Sequence, residues 1–356
     1  MELLYKPDFD EARTRWDAFW NKQIIDRPCL SVTAPRDGAA PAPSPGHQLA
    51  GWDGDYAETA ARWDAHLASR YFGAEAIPFM MASFGPDQFG AFLGADLERA
   101  SSLPNATSWA VPIVEDWATA APIRLDESNR WWRKMLAFLR AAGEASEGKF
   151  LVGQLDLHSN LDALASLREP QCLCMDLLDC PELVERAMRQ ARALFVPIYD
   201  ALYKAGRMEG RGSIGWLPLY SPGKFMTTQC DFAAMISPAM FNRFAMPALE
   251  EEWAYLDHSA YHLDGPQALA HLDTILAARD LDLIQWVPGA GKPPQHEWVE
   301  LLQTIQAAGK SVIVQAPAEA CKRLHSVLKP ELTFYATSAP SQKEADALAR
   351  WFVDHT

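Results

Sequence analysis

The sequence is poor in cysteine, lacks long apolar runs and has no glycine-rich turn near its start. No glycine-rich phosphate turn follows an early strand and no GxxxxGKS/T string occurs, which disfavours nucleotide-binding folds. No segment approaches the roughly 18 consecutive apolar residues of a membrane helix. The N-terminus has neither the basic start nor the apolar run of a signal peptide. Six cysteines without a CxxC pair are too sparse for a disulfide framework. These absences predict a cytoplasmic protein with free thiols.

Basic residues are outnumbered by acidic ones. The 356 residues include 32 Lys and Arg against 46 Asp and Glu, which gives a net charge of −14. Such a charge repels phosphate backbones and anionic lipid, so neither nucleic acid nor a membrane is an expected partner. Hydrophobic residues make up 49% and charged residues 22%, which is typical of a globular protein that folds around a large core.

Beyond about residue 145, short β-rich runs alternate with longer helical stretches. This rhythm is typical of βα units around a parallel sheet. The predicted strands are Cys29–Ala34, Ile77–Met81, Phe150–Leu155, Ser213–Leu217, Ala260–Leu263, Leu283–Val287, Ser311–Gln315 and Leu332–Ala336. Helices are predicted between most of them and at the end of the chain, among them Pro181–Ala205 and Ser341–Asp354. Eight strands close a barrel, so the predicted fold is α/β, a single (β/α)₈ TIM barrel over residues 1–356 with N-terminal helical additions. Residues 1–75 are expected to form an extension packed on the barrel.

Polar side chains stand where these apolar runs end, which is where such barrels carry their catalytic groups. His262 and Asp264 are two residues apart at one strand end, and Asp231 precedes a helical segment. A buried carboxylate is costly unless paired or ligated, so we assign the catalytic role to these three residues. The alternative for any one of them is a side chain bonded to a neighbouring loop amide.

Other polar and aromatic side chains at the strand ends are expected to bind and orient a substrate. Alanine at Asp156 or His158 is expected to lower activity with little loss of melting temperature. Three aromatic residues are predicted to form the rim of an open mouth. The predicted substrate-binding residues are Gln154, Asp156, His158, Gln285 and Gln315, with Trp216, Tyr220 and Trp286 at the rim.

Three segments resemble the uroporphyrinogen decarboxylase superfamily. They are the string CDFAAMISPAMF at 230–241, YHLDG at 261–265 and IQWVPG at 284–289. The resemblance is nearest to the decarboxylase-like branch beside the corrinoid-linked (cobalamin-dependent) methyltransferases. It implies a barrel whose mouth either decarboxylates a tetrapyrrole or uses zinc in methyl transfer.

In the methyltransferases of this superfamily a His-x-Cys pair and a later Cys bind zinc. His262 matches the first position, Asp264 stands where the thiolate is expected, and no later Cys follows near 335–338. The resemblance therefore implies a harder site of His262 and Asp264, with Cys230 or Asp231 completing it, which suits an oxygen or amine leaving group better than a thiol.

The resulting hypothesis is a metal-assisted methyltransferase that moves a methyl group between a small methylated donor and a corrinoid carried by a partner protein. The first alternative is a uroporphyrinogen-type decarboxylase, which the acidic charge disfavours because its substrate is a polyanion. The second is a non-catalytic barrel that binds a small ligand. A homodimer is left open.

Overall fold

The protein is described by a computed structural model over residues 2–46, 48–100 and 107–356. It is a mixed α/β molecule with a largely parallel sheet. The strands are β1 Cys29–Pro35, β2 Arg70–Ala74, β3 Phe79–Met81, β4 Asp96–Ala100, β5 Thr107–Val111, β6 Leu151–Gly153, β7 Ser213–Ile214, β8 Tyr220–Ser221, β9 Phe225–Gln229, β10 His258–Asp264, β11 Leu283–Val287, β12 Ser311–Gln315 and β13 Thr333–Ser338.

Helices cover the sheet and connect most of its strands. The α-helices are α1 Phe9–Trp20, α2 Tyr56–Ala68, α3 Gln88–Phe92, α4 Arg130–Ala145, α5 Leu161–Arg168, α6 Pro170–Asp179, α7 Pro181–Arg192, α8 Phe195–Ala205, α9 Pro238–Met240, α10 Met246–Tyr255, α11 Gly265–Ala268, α12 Leu272–Ala277, α13 Val299–Ala307, α14 Ala318–His325 and α15 Gln342–His355. Short 3₁₀ segments lie at Asp231–Met235, Leu269–His271, Gln295–Glu297 and Pro330–Leu332, and a π-helix lies at Phe241–Ala245. In the ranges given above, no helix combines the length and the apolar character needed to cross a bilayer.

The main sheet has seven strands in the order β2-β1-β13-β12-β11-β10-β9. All neighbours in it are parallel except β1 and β2. β3 and β6 form a separate parallel pair, and the Gln154 N–H donates to the Ile214 carbonyl at 2.7 Å, which links β6 to β7. This arrangement is consistent with a TIM-barrel-like fold, although the ladders between the described strands do not close into a barrel.

Helix α1 covers the N-terminal ends of the strands. Trp16 packs on Phe334 with ring centroids 4.8 Å apart, and Trp20 packs on Phe225 at 5.9 Å. These rings belong to one apolar cluster with the inward residues near the strand starts, among them Ala260. Because this end is filled by aromatic side chains, the polar site described below lies at the opposite, carboxyl end.

The strand that leads to Asp231 differs from the predicted one. Only Ser213–Ile214 of the predicted run 213–217 is a strand, and it pairs antiparallel with β8. The parallel partner of β10 is β9, Phe225–Gln229, which the apolar pattern did not predict because its last three residues are polar. Thr228 is satisfied within the fold, since its Oγ1 donates to the Ala260 carbonyl at 3.1 Å and accepts from Trp253 Nε1 at 2.8 Å, whereas Thr227 Oγ1 has no partner among the described residues.

Helix boundaries followed the sequence pattern at the C-terminus and departed from it in the middle. The prediction of a helix over 341–354 is confirmed by α15. The predicted continuous helix over 181–205 is wrong, because α7 ends at Arg192 and α8 begins at Phe195. Pro197 has no N–H to donate and fits only in a first turn, so a new helix begins two residues before it.

Candidate functional site

Adjacent strand ends bring one histidine and two carboxylates together. His262 is opposite Gln229 of β9 and Gln285 of β11 in the strand register. Asp264 ends β10, and Asp231 follows the end of β9 by two residues. One candidate ligand atom from each of Asp231, His262 and Asp264 lies within 4.8 Å of the others. These three residues are called the His262 group below.

Hydrogen bonds along the strand ends orient the His262 ring. Gln285 Oε1 lies 2.5 Å from His262 Nδ1, and Gln285 Nε2 donates to Gln315 Oε1 at 2.6 Å. Because an amide oxygen only accepts, Nδ1 carries the hydrogen, and Nε2 of a neutral ring has a free lone pair. The ring of Trp216 packs edge-on against His262 at 5.2 Å. This is the arrangement that metal-binding histidines commonly show.

His158, Asp162 and Asp231 form a second group of candidate ligands that shares Asp231 with the first. The ring nitrogens of His158 lie 3.4 Å from Asp156 Oδ2 and 3.3 Å from Asp162 Oδ2, and Nε2 also meets the Gln229 amide. Burial by itself lowers the pKa of His158, but the two carboxylates outweigh it and raise that pKa well above its usual value. An imidazolium has no lone pair for a metal ion, so His158 serves here as a buried cation.

Asp162 connects the two groups through the backbone. Its Oδ2 accepts the N–H of Asp231 at 2.9 Å, and its Oδ1 accepts the N–H of Phe232 at 2.8 Å. Neighbouring protein atoms crowd the Asp231 carboxyl and the charge of Asp162 lies close by, so the pKa of Asp231 rises to about 6. The Asp231 side chain still reaches solvent.

Two cavities lie near these residues, one lined by several carboxylates and the other mainly by aromatic side chains. The cavity beside Asp231 has a volume of about 500 Å³ and is acidic. Its rim carries Trp109 and Met235, each 52% exposed. The residues that give this cavity its polar character are Asp87, His158, Asp162, Glu169 and Asp231.

The other cavity lies beside Trp216, has a volume of about 530 Å³ and is largely aromatic. Its polar lining residues are Thr33, His66 and Arg70. A neighbouring space of about 610 Å³ shares part of its wall with this cavity and reaches Gln315. The predicted substrate-binding residues therefore do not all line one cavity, because His158 faces the acidic one and Gln315 the other side.

Three predicted site residues lie in the core instead. Tyr220 is 1% exposed and packs on Phe9, with its hydroxyl donating to the Arg211 carbonyl at 3.1 Å. Trp286 is also 1% exposed and packs on Trp298 in the helical layer. Alternation along β11 turns Trp286 outward while Gln285 faces inward. The expectation that Tyr220 and Trp286 form the rim is wrong; Trp216 does line a cavity.

Cys230 is the third of these residues. It is buried in the apolar cluster between the sheet and the helices, and burial raises the pKa of its thiol well above the usual value. A neutral thiol facing the helical layer does not meet the His262 group, so the assignment of Cys230 as a metal ligand is wrong.

Some residues near the site lie where the sequence alone did not indicate. Asp162 lies in the first turn of α5. Acidic residues are common at that position because they interact favourably with the helix dipole, so the sequence did not single Asp162 out.

Gln154, which was predicted, is buried, and neither atom of its amide has a partner among the described residues. Asp156 was also predicted, and it contacts His158 as given above.

Comparisons with known proteins identify the fold. The sequence matches no model of a known protein family and no curated protein. Among solved structures, a methyltransferase from Methanosarcina mazei resembles this chain with a TM-score of 0.61 at 13% sequence identity. The match covers 97% of this chain and 98% of that one. At this identity the likeness shows the fold alone.

Proposed function

We propose that the protein is a metal-assisted methyltransferase that moves a methyl group between a small methylated donor and a partner protein's corrinoid. In this proposal the parallel strands close into a (β/α)₈ barrel, and Asp231, His262 and Asp264 work at its mouth. The observation that carries the proposal is the approach of these three side chains to within 4.8 Å of one another. A methyltransferase with the same fold lends support.

The His262 group fits a divalent ion such as zinc in its chemistry. One imidazole and two carboxylates are ordinary zinc ligands, and three protein ligands leave a position for substrate. The Gln285 contact leaves His262 Nε2 free to bind, and Asp264 is exposed at the strand end. When bound, the ion supplies a Lewis acid that polarises the donor heteroatom. The His158 group fits less well because His158 is held as a cation.

The protein's own groups supply acid where the donor bond breaks. An unactivated ether or amine is a poor leaving group, so its heteroatom needs a proton or a Lewis acid as the methyl group departs. Where His262 and Asp264 alone hold the ion, Asp231 is free to act as the acid: its pKa of about 6 and its access to solvent let a fraction of the molecules carry its proton near neutral pH and give it to that heteroatom. The C–O or C–N bond would then break with the electron pair left on the protonated or metal-bound heteroatom, and the partner's reduced corrinoid would accept the methyl group.

Access for a second protein needs an open mouth. Asp231 and Asp264 are both exposed, and the cavity beside Asp231 is rimmed by the exposed side chains of Trp109 and Met235. An exposed aromatic and a methionine beside a reactive carboxyl suit contact with a planar cofactor that a partner presents.

A coupled assay tests the proposal. Purified protein is supplied with zinc, a reduced corrinoid protein and a panel of methoxylated aromatics and methylamines, and methylcobalamin formation is followed by absorbance. The proposal expects methylcobalamin from at least one donor and loss of that signal in Asp231→Asn. No methylcobalamin from any donor, alongside coproporphyrinogen formation from uroporphyrinogen, supports the decarboxylase instead.

A further inference from the structure

Arg70 is a cation without an acidic partner inside the aromatic cavity. Its guanidinium Nη2 donates to Thr33 Oγ1 at 3.0 Å, and no carboxylate of the described residues lies within ion-pair distance of it. The chain carries a net charge of −14, so carboxylates are abundant elsewhere. A half-buried arginine with unused donors in a cavity is a ready partner for an anion.

We propose that this cavity binds a small organic carboxylate with a flat apolar body, which Arg70 holds by its carboxylate group. Planar and bidentate donors of a guanidinium match the two oxygens of a carboxylate. Thr33 already contacts the guanidinium and lies beside the place the carboxylate would occupy. The inference rests on the proposed function only in treating this carboxylate as the methyl donor.

The residues that line the cavity determine which kind of apolar body the ligand has. Apart from Arg70, Thr33 and His66, the lining is apolar or aromatic. The residues that supply this surface are Trp63, Leu67, Phe72, Phe79, Met81 and Trp216. A volume of about 530 Å³ lies in the range of small-molecule sites, and aromatic walls favour a flat ring over a branched or highly charged body.

The cavity is connected to the His262 group through Trp216. The Trp216 ring lines the cavity and packs edge-on against the His262 ring, with centroids 5.2 Å apart. The adjoining space reaches Gln315, which is two hydrogen bonds away from His262 through Gln285. In this proposal Arg70 holds the carboxylate and the other end of the ligand lies against Trp216, the wall residue that contacts His262.

The acidic cavity beside Asp231 does not suit the same ligand. Asp87, Asp162, Glu169 and Asp231 line it against the single cation His158. Its acidity would repel a carboxylate, whereas the aromatic cavity holds an arginine with no acid opposite it. This difference in charge favours binding of the anion in the aromatic cavity, beside Arg70.

Equilibrium binding of two matched probes tests the inference on the zinc-supplemented full chain. The probes are 4-methoxybenzoate and the neutral 4-methoxybenzamide, which share shape and differ in charge. Calorimetry and quenching of tryptophan fluorescence give the affinities, since Trp63 and Trp216 line the cavity. We expect the carboxylate to bind about ten- to a hundredfold more tightly than the amide, the advantage of a charge-assisted contact.

Variants of Arg70 test whether this residue binds the carboxylate. Arg70→Gln should remove the preference for the carboxylate while amide binding stays the same. Arg62→Gln is the matched control, because Arg62 is an exposed arginine paired with Asp55 on α2 and its loss changes the net charge equally. Arg70→Lys keeps the cation and should keep part of the preference, which also covers the case in which Arg70→Gln folds poorly. Equal affinity of the wild type for the two probes, no binding of the carboxylate at millimolar concentration, or an unchanged preference in Arg70→Gln overturns the inference.

Its failure can be told apart from failure of the proposed function. Carboxylate binding through Arg70 without methylcobalamin formation leaves the anion site standing and removes the methyl transfer. Methyl transfer from neutral donors, with no gain for their carboxylate counterparts, leaves the proposed function standing and removes the anion site.

Discussion

The side chain of Asp162 holds the backbone of Asp231 by accepting its N–H at 2.9 Å. The two residues are 69 positions apart in the sequence, and the second carboxylate oxygen of Asp162 accepts the next N–H at 2.8 Å. The buried side chain of Asp162 therefore fixes the backbone position of the exposed Asp231. The position of Asp231 in the His262 group depends on this contact.

Replacing Asp162 by asparagine tests that dependence. The amide keeps the shape but replaces one acceptor oxygen by an NH₂ donor, so one of the two backbone N–H groups loses its partner. We expect a loss of at least about 1–3 kcal/mol in the free energy of unfolding, the usual cost of an unsatisfied buried donor, because the variant also removes the negative charge beside His158. Urea unfolding measures it. Asp116→Asn is the control, because Asp116 is exposed and also accepts a backbone N–H; equal losses in both variants would contradict the role of Asp162.

Zinc content tests the His262 group. Protein purified after zinc supplementation should contain about one equivalent by elemental analysis, and His262→Ala should reduce this to background because it removes the only imidazole of the group. His296→Ala, which changes a half-buried histidine away from the group, should keep the metal. A zinc content that stays the same in His262→Ala shows that the ion binds elsewhere.

His158 has a larger structural role than its place in the sequence indicates. Alanine there leaves Asp156 and Asp162 facing each other without the cation between them. Breaking a buried ion pair by removing one partner typically costs about 3–5 kcal/mol, so we expect His158→Ala to lower the free energy of unfolding by that order. This replaces the sequence-based expectation of little loss in melting temperature. His355→Ala, at an exposed position, is the comparison; a similar melting temperature for both variants would contradict the prediction.

Glu252 makes stability depend on pH. It is 1% exposed, Ser159 Oγ donates to its Oε1 at 2.7 Å, and burial raises its pKa to about 8. Between about pH 4.5 and 8 the folded protein therefore keeps a proton that the unfolded chain has released. Folding stability contributed by this group falls as the pH rises through that window, by at most about 1.4 kcal/mol per pH unit.

Glu252→Gln should remove this dependence of folding stability on pH. Glutamine keeps an acceptor for Ser159 and does not ionise, so the variant should gain stability relative to the wild type as the pH rises from 5 to 8. Urea unfolding at several pH values measures the difference. Glu250→Gln, at an exposed neighbouring position, should follow the wild type. Parallel curves for Glu252→Gln and the wild type would show that Glu252 is already ionised in the folded state.

The polar residues at the ends of β10 and β11 could be predicted from the sequence, because spacing along a single strand determines which side chains share a face. Side chains two residues apart on a strand face the same way, so His262 and Asp264 could be paired from spacing alone. The neighbouring Gln285 was predicted from its place at a strand end. The strand β9 was not predicted, because its last three residues are polar and the bonds of Thr228 to β10 and α10 cannot be seen in any local pattern.

By itself the sequence determined the acidic charge, the alternation of strands with helices and the two-residue spacing at the end of β10. Only the tertiary structure decided that Asp162 holds Asp231, that Cys230 and Trp286 face the helices, and that no carboxylate of the described residues pairs with Arg70. Charge and periodicity are properties of composition and near neighbours. Contacts between residues far apart in the chain depend on strand order and helix packing, so the pairing of a charge is settled only when the whole chain is folded.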